Sequence, residues 1–186
     1  MFRHLPLLCV LCGLFSALVS ACRPLPAVEY LRPGPIAARR AAGLRAHLLS
    51  EQGGRKTYVL AFGKGDEVMS GLVEFAEQHR LRGAHFTAIG AFRRADVAWF
   101  DDARKAFRKI PVESQVEVAS LIGNITTEND KPLVHVHCAL ARPDGQLVGG
   151  HLLDAEVFPT LEVFLTEEPA EILKAHDPET DLELIE

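Results

Sequence analysis

Residues 133–155, LVHVHCALARPDGQLVGGHLLDA, leave this chain few ways to fold. The segment reads as two β-strands joined by a tight turn. Side chains alternate between the two faces of a strand. Val134, Val136, Cys138 and Leu140 therefore share one wholly apolar face, and Leu133, His135, His137 and Ala139 share the other. Pro143-Asp144-Gly145 has the chemistry of a three-residue hairpin loop, with glycine at the left-handed position. If Arg142 pairs with Gln146, paired positions sum to 288, and His137 falls opposite His151. Directly opposed residues share a face, with Cβ atoms about 5 Å apart, and His135 is the diagonal neighbour at roughly 7–8 Å. Three imidazoles then converge on one sheet face. That donor set, with a coordination position left open, is what catalytic zinc sites have. Neutral imidazole also suits copper, nickel and iron, so the set specifies a divalent metal, with zinc the expected ion. Affinity is expected to fall as the rings protonate, near the ordinary imidazole pKa of about 6.5. Two alternatives stay open. The histidines form a polar cluster or an interface without metal, or a bulge at Gly149-Gly150 slips the register and turns His151 to the opposite face.

The start of the chain bears on compartment. Arg3 and His4 make a short basic region, and residues 5–20 (LPLLCVLCGLFSALVS) are apolar and uncharged. As a helix this run is roughly 24 Å long, short of the roughly 30 Å needed to span a bilayer core. It reads as a secretory signal over residues 1–21. Val19-Ser20-Ala21-Cys22 is similar to a bacterial lipoprotein boundary, in which the cysteine is lipidated and becomes the mature N-terminus. The expected location is the cell envelope, lipid-anchored through Cys22, on the periplasmic face if the cell is Gram-negative. An ordinary signal peptide with a coincidental cysteine is the plainer reading. Cys9 and Cys12 would leave with the signal, so Cys138 would be the one remaining thiol of the folded part, unable to form an internal disulfide.

Residues 22–186 suffice for one domain with its own core. The full chain carries a formal net charge of −5, and loss of Arg3 takes it to −6. An acidic domain lacks the electrostatic footprint of a nucleic-acid binder, so DNA is not an expected partner. Residues 22–53, rich in Pro, Arg and Ala, read as a tether, with RRAAGLRAHLL either a short helix or a strand lead-in. The folded domain is expected over 54–186. Within it, 57–62, 85–90, 95–100, 107–111, 115–126, 160–166 and 182–185 read as strands, with a bulge expected at Gly123. Residues 67–80 read as an amphipathic helix carrying Val68, Leu72, Phe75, Ala76 and His79 at helical spacing, with Asp66 as N-cap and His79 a helix-end residue. One helix among strands joined by short turns gives an α+β fold with a mostly antiparallel sheet. No Gly-rich phosphate loop, G-x-S-x-G elbow or CxxC is present. Asp154, Glu156 and Glu162 flank the histidines in sequence as candidate proton shuttles or a fourth ligand, with solvent-facing charges as the plainer reading of each.

From Thr57 to Ile185 the chain resembles the PPC domain, the domain conserved in plants and prokaryotes. The residues that carry the resemblance are TYVLAFGKGDEV, FTAIGAF, QVEVASLIGNIT, HVHCALARPDGQLVGGHLLDA and PTLEVFLTE. The resemblance implies an α+β fold, similar to that of acetolactate decarboxylase, that assembles as a homotrimer. It also implies that metal binding is a prokaryotic feature of the family, carried here by His135, His137 and His151. Plant members pair the domain with AT-hooks, and bacterial relatives often bear a DNA-binding name. This chain has no Arg-Gly-Arg-Pro core. Three functions follow as expectations: a lipid-anchored metal-binding module, a metal-dependent lyase or hydrolase of a small molecule, and a DNA-binding protein. No catalytic residue can be assigned from the sequence.

Overall fold

The computed structural model describes residues 27–32, 34 and 41–186. The signal region and Cys22 lie outside the described residues. In chain order the elements are β1 (Tyr30–Leu31), β2 (Arg45–Gln52), β3 (Arg55–Phe62), α1 (Val68–His79), β4 (Ala84–Asp101), β5 (Ala106–Val112), β6 (Val116–Glu128), β7 (Lys131–Ala141), β8 (Leu147–Glu167), β9 (Lys174–Asp177) and β10 (Leu182–Ile185). The main sheet runs β1-β5-β4-β6-β7-β8-β3-β2, and β4 also pairs with β8. All these pairings are antiparallel. Because β4 joins β6 on one edge and β8 on the other, the path β4-β6-β7-β8 closes on itself. Closure removes free edges within this path, while β1 and β2 remain at the ends of the sheet.

The core fills the inside of this closed sheet and is capped by α1. Val68, Leu72 and Ala76, one helical turn apart, are fully buried, and Met69 and Phe75 join them. The helix approaches the sheet closely at Gly71, where a Cβ would stand 2.4 Å from the Phe62 ring. Its N-terminus differs from expectation. Glu67, not Asp66, is the N-cap, its carboxylate accepting from the Met69 and Ser70 amides at 3.0 and 2.7 Å. Asp66 instead turns back to accept from the amides of Gly43 and Gly63, both at 2.8 Å. A buried carboxylate needs several donors. Gly63 in the loop before α1 and Gly43 ahead of β2 offer Asp66 one donor each, which releases it from the cap. At the other end Arg80 adopts the left-handed conformation and closes the helix three residues before Gly83.

Several strands are longer than their sequence patterns suggest. Residues 85–90 and 95–100 belong to one bent strand, β4, which passes through Gly90 at φ +150°. Its register shifts against β8 between Gly90 and Phe92 and again between Phe92 and Arg94. Those bulges spoil the alternation, so the bend reads as a break. Likewise the second hairpin strand and residues 160–166 form one strand, β8, containing a cis Phe158–Pro159 bond. The irregularity of β6 lies between Val118 and Ser120 rather than at Gly123. Gly123 serves close packing instead, since a Cβ there would meet the Phe86 ring at 2.3 Å. Tyr30–Leu31 and Arg45–Gln52, within the stretch expected as a tether, pair into the sheet. The polar tail contributes an additional strand, β9, which pairs with β10.

Candidate metal centre

The hairpin β7–β8 forms in the register its turn dictates. Arg142 donates to the Gln146 carbonyl at 2.9 Å, Gly145 donates to the Arg142 carbonyl at 2.8 Å, and Gly145 takes φ +80°. Cα partners run from Ala141↔Leu147 to His137↔His151. Val134, Val136, Cys138 and Leu140 are all buried, which fixes which face looks outward. The Gly149-Gly150 pair does not slip the hairpin. It lets β8 pass between two neighbours: a Cβ on Gly149 would stand 2.2 Å from the Cys138 carbonyl oxygen, and one on Gly150 would stand 2.3 Å from that of Ala98.

His135, His137 and His151 thus meet on the outer face, with ligand nitrogens all within 4.8 Å of one another. Ring centroids are 5.0 Å apart for His135–His137 and for His135–His151, and 5.6 Å for His137–His151. His137 is exposed, whereas His135 and His151 are half-buried. Phe107 of β5 stacks on His151, centroids 4.6 Å apart and planes 27° apart, and limits how that ring can turn. Asn124 lies directly across from His135 on β6.

Burial pushes the pKa of His135 and of His151 down to about 4. The Lys174 charge and the neighbouring imidazoles push the same way. These two rings are therefore neutral at physiological pH, the form that binds metal. The donor set fits a divalent ion. At a zinc–nitrogen distance of about 2.0–2.1 Å two ligand nitrogens lie at most about 4.2 Å apart, so modest ring rotations bring the three together. The surroundings of the rings fit as well. Asn124 Oδ1 is buried without a hydrogen-bond partner beside His135, and a metal-ligating imidazole needs an acceptor for its second N–H. A metal held here would polarise a carbonyl or lower the pKa of a bound water.

The flanking carboxylates do not join the cluster. Asp154 pairs with Arg94 at 3.0 Å, and Glu156 pairs with Arg93 at 3.3 Å and Arg94 at 3.5 Å. Glu162 is exposed opposite Ala61 and Ile89. Cys138 faces the core, and burial raises its thiol pKa to about 12. His79 ends α1 packed on Phe75, centroids 4.1 Å apart, far from any ligand role. Sequence reasoning missed three neighbours of the site: Phe107, Asn124 and Lys174. Phe107 is reached only once β4 pairs with both β5 and β8, whereas Asn124 arrives through the β6–β7 pairing itself. No local signal in the sequence marks Lys174.

The profile of the Plants and Prokaryotes Conserved (PCC) domain matches residues 49–169. The chain belongs to that family. Among solved structures, the metal-containing protein from Archaeoglobus fulgidus is 34% identical, with 70% of this chain and 92% of that one covered and a TM-score of 0.65. The plant- and prokaryote-conserved protein from Pyrococcus horikoshii is 28% identical, covering 76% and 94%, with a TM-score of 0.66. A protein from Bacteroides thetaiotaomicron, named as a candidate DNA-binding protein, shares the fold at 22% identity, covering 77% and 97%, with a TM-score of 0.70. No curated protein matches the chain.

Proposed function

We propose that this PCC-domain protein is a lipid-anchored envelope protein that self-associates and binds one divalent metal per chain through His135, His137 and His151, with zinc as the metal. The observation that carries the reading is the convergence of three imidazole nitrogens within 4.8 Å on one face of a rigid, closed sheet. A solved relative named as metal-containing supports it. The test is elemental analysis of purified mature protein. About one equivalent of metal in the wild type and its loss in His137→Ala support the reading, and full retention by the variant refutes the assignment.

Self-association has a physical basis in the same face. Opposed pairs place Phe164, Thr87, Ile122 and His137 in one row across β8, β4, β6 and β7. Phe164 and Ile122 are 47% and 56% exposed, and Ile89 close by is 60% exposed. Adjacent large apolar side chains on an outer face suit burial against another copy, and a homotrimer is the assembly proposed. Sedimentation or mass photometry of the mature protein measures it directly.

A second reading, a metal-dependent lyase or hydrolase of a small molecule, is favoured by the exposure of His137, which leaves the open side of the site accessible. Screening small carbonyl and ester substrates with metal-loaded protein separates it from a binding module. Solved relatives carry a DNA-binding name, but the net charge of this chain is −5, which argues against duplex DNA as its partner.

A further inference from the structure

The sheet edge that leads back toward Cys22 carries an exposed patch of its own. Trp99 of β4 stands opposite Arg108 of β5, and Arg108 stands opposite Tyr30 of β1. Directly opposed residues share a face, so the three side chains form one row across the end of the sheet. Phe107, the neighbour of Arg108 on β5, points to the other face, where it stacks on His151. Trp99 is the one tryptophan of the chain and is 59% exposed. Folded proteins bury most of such an indole. Tyr30 is 38% exposed, and Val28, two residues earlier, is 57% exposed. Arg104, in the turn between β4 and β5, lies over the Tyr30 ring, its guanidinium 5.0 Å from the centroid, and pairs with Asp101 at 2.8 Å. Lys105 and Asp102 of the same turn pair with each other. Arg108 is exposed, and among the described residues no carboxylate lies within 4.0 Å of its guanidinium.

Exposed tryptophan and tyrosine beside arginine, on a chain of net charge −5, have the chemistry of a membrane-surface contact. Both rings combine an apolar body with a polar tip and settle at headgroup level. A guanidinium without a carboxylate partner is drawn to anionic lipid. Chain length agrees with this placement. Tyr30 follows Cys22 by eight residues, which span at most about 28 Å when extended. The chain is then fixed to the β5 edge, where the Lys109 amide donates to the Glu29 carbonyl at 2.9 Å and the two side chains pair at 3.6 Å. A lipid on Cys22 therefore keeps this end of the sheet within reach of the bilayer. We propose that Trp99, Tyr30, Arg104 and Arg108 form a docking surface for an anionic bilayer, which orients the anchored domain. This inference rests on the lipid-anchored reading above. In that orientation Phe107 and His151, on the opposite face of the β4–β5 ribbon, turn away from the bilayer, and the metal site stays open to soluble ligands.

Trp99 fluorescence reports on the patch without a label, because no other tryptophan contributes. Protein processed in the cell is reconstituted into phosphatidylcholine vesicles with and without phosphatidylglycerol, each made with ordinary or with brominated acyl chains. The mass of its N-terminus is measured on the same preparation. The expected result is at least twofold quenching of Trp99 by the brominated chains when phosphatidylglycerol is present. Omitting phosphatidylglycerol should reduce that quenching by at least half, and so should Arg108→Glu, an exposed substitution expected to leave Tm unchanged. Lipidated protein whose Trp99 is not quenched, as when a second copy covers the patch, overturns the inference and leaves the anchor standing. Quenching that survives either change intact overturns it as well. An unmodified N-terminus with the same quenching refutes the anchor alone. An unmodified N-terminus on protein that does not bind the vesicles refutes both.

Discussion

Gly150→Ala tests the geometry that aims His151, because Gly150 is held on two counts. Its φ of +149° belongs to a region that only glycine occupies readily, and its missing Cβ leaves room for the Ala98 carbonyl, which an added carbon would approach to 2.3 Å. Backbone strain of this kind costs roughly 1–3 kcal/mol. The overlap with main-chain oxygen adds an overpacking penalty of about 1–3 kcal/mol, since neither strand can yield without breaking its ladder. A total near 3 kcal/mol should lower Tm by roughly 6–12 °C in a domain of this size. Gly145→Ala is the matched control. It also has positive φ, +80°, but nothing lies within 4 Å of its Cβ position. Strain alone, about 1 kcal/mol, should lower Tm by roughly 2–4 °C. Differential scanning calorimetry of metal-free protein reads both variants. Metal titration of Gly150→Ala should also show weakened binding, because β8 must shift where it carries His151. Equal falls in Tm for the two variants would refute the claim that β8 is pinned between β7 and β4 at this point.

Acid should remove metal well below the ordinary imidazole range of about 6.5, because His135 and His151 remain neutral to about pH 4; half-loss of bound metal near 6.5 on pH-stepped dialysis would contradict this. In the metal-free protein those two depressed values mean that the unfolded chain binds protons first on acidification. Stability should therefore be level above about pH 6.5 and fall as pH drops from there toward 4, which Tm against pH will show. Cys138 should resist a thiol reagent in native buffer and react on unfolding, since its thiol is buried and its pKa is pushed up to about 12; rapid native labelling would count against the core assignment. Cys22→Ser should release the protein from membranes or block its processing, with mass spectrometry of the native N-terminus as the check. Duplex DNA should not bind below micromolar concentration at physiological salt, and a tight complex that weakens steeply with added salt would overturn that expectation.

The hairpin was legible because every cue within it agreed. The Pro-Asp-Gly turn, the apolar face of Val134, Val136, Cys138 and Leu140, and the register they impose all point the same way, so one local argument placed three histidines. The amphipathic helix was legible for the same reason, to within a residue at each end. Its cap was not, because the choice between Asp66 and Glu67 turns on the amides of Gly43 and Gly63, and Gly43 lies well upstream in sequence. Nor was the continuity of β4 and β8. Bulges near Gly90 and Phe92 shift the side-chain phase, and a period-two pattern read across such a shift looks like two strands.

That division explains which parts of the site escaped the sequence. The three histidines belong to one hairpin, whereas the side chains around them arrive from elsewhere in the chain. Phe107 comes from β5, Asn124 from β6 and Lys174 from the last hairpin. Phe107 reaches the histidine face because β4 bonds both β5 and β8, Asn124 because β6 pairs directly with β7, and the last hairpin joins β6 because Leu173 bridges Thr127 beyond the point where the β4–β6 register ends at Ala84↔Ile125. A three-histidine hairpin on an isolated two-stranded ribbon would offer the same nitrogens to any divalent ion, with rings free to turn and protonating in the ordinary range. Placed on a closed sheet, the same nitrogens have two of their rings half-buried, one of them stacked on Phe107, and a buried amide oxygen of Asn124 on the strand paired with His135. Preorganisation of this kind is what separates a metal site from a cluster of histidines. The discriminating variant is therefore Phe107→Ala, which touches no ligand atom. It should loosen His151 and weaken metal affinity several-fold while leaving the ligand count unchanged, and an affinity equal to wild type would show that the hairpin alone makes the site.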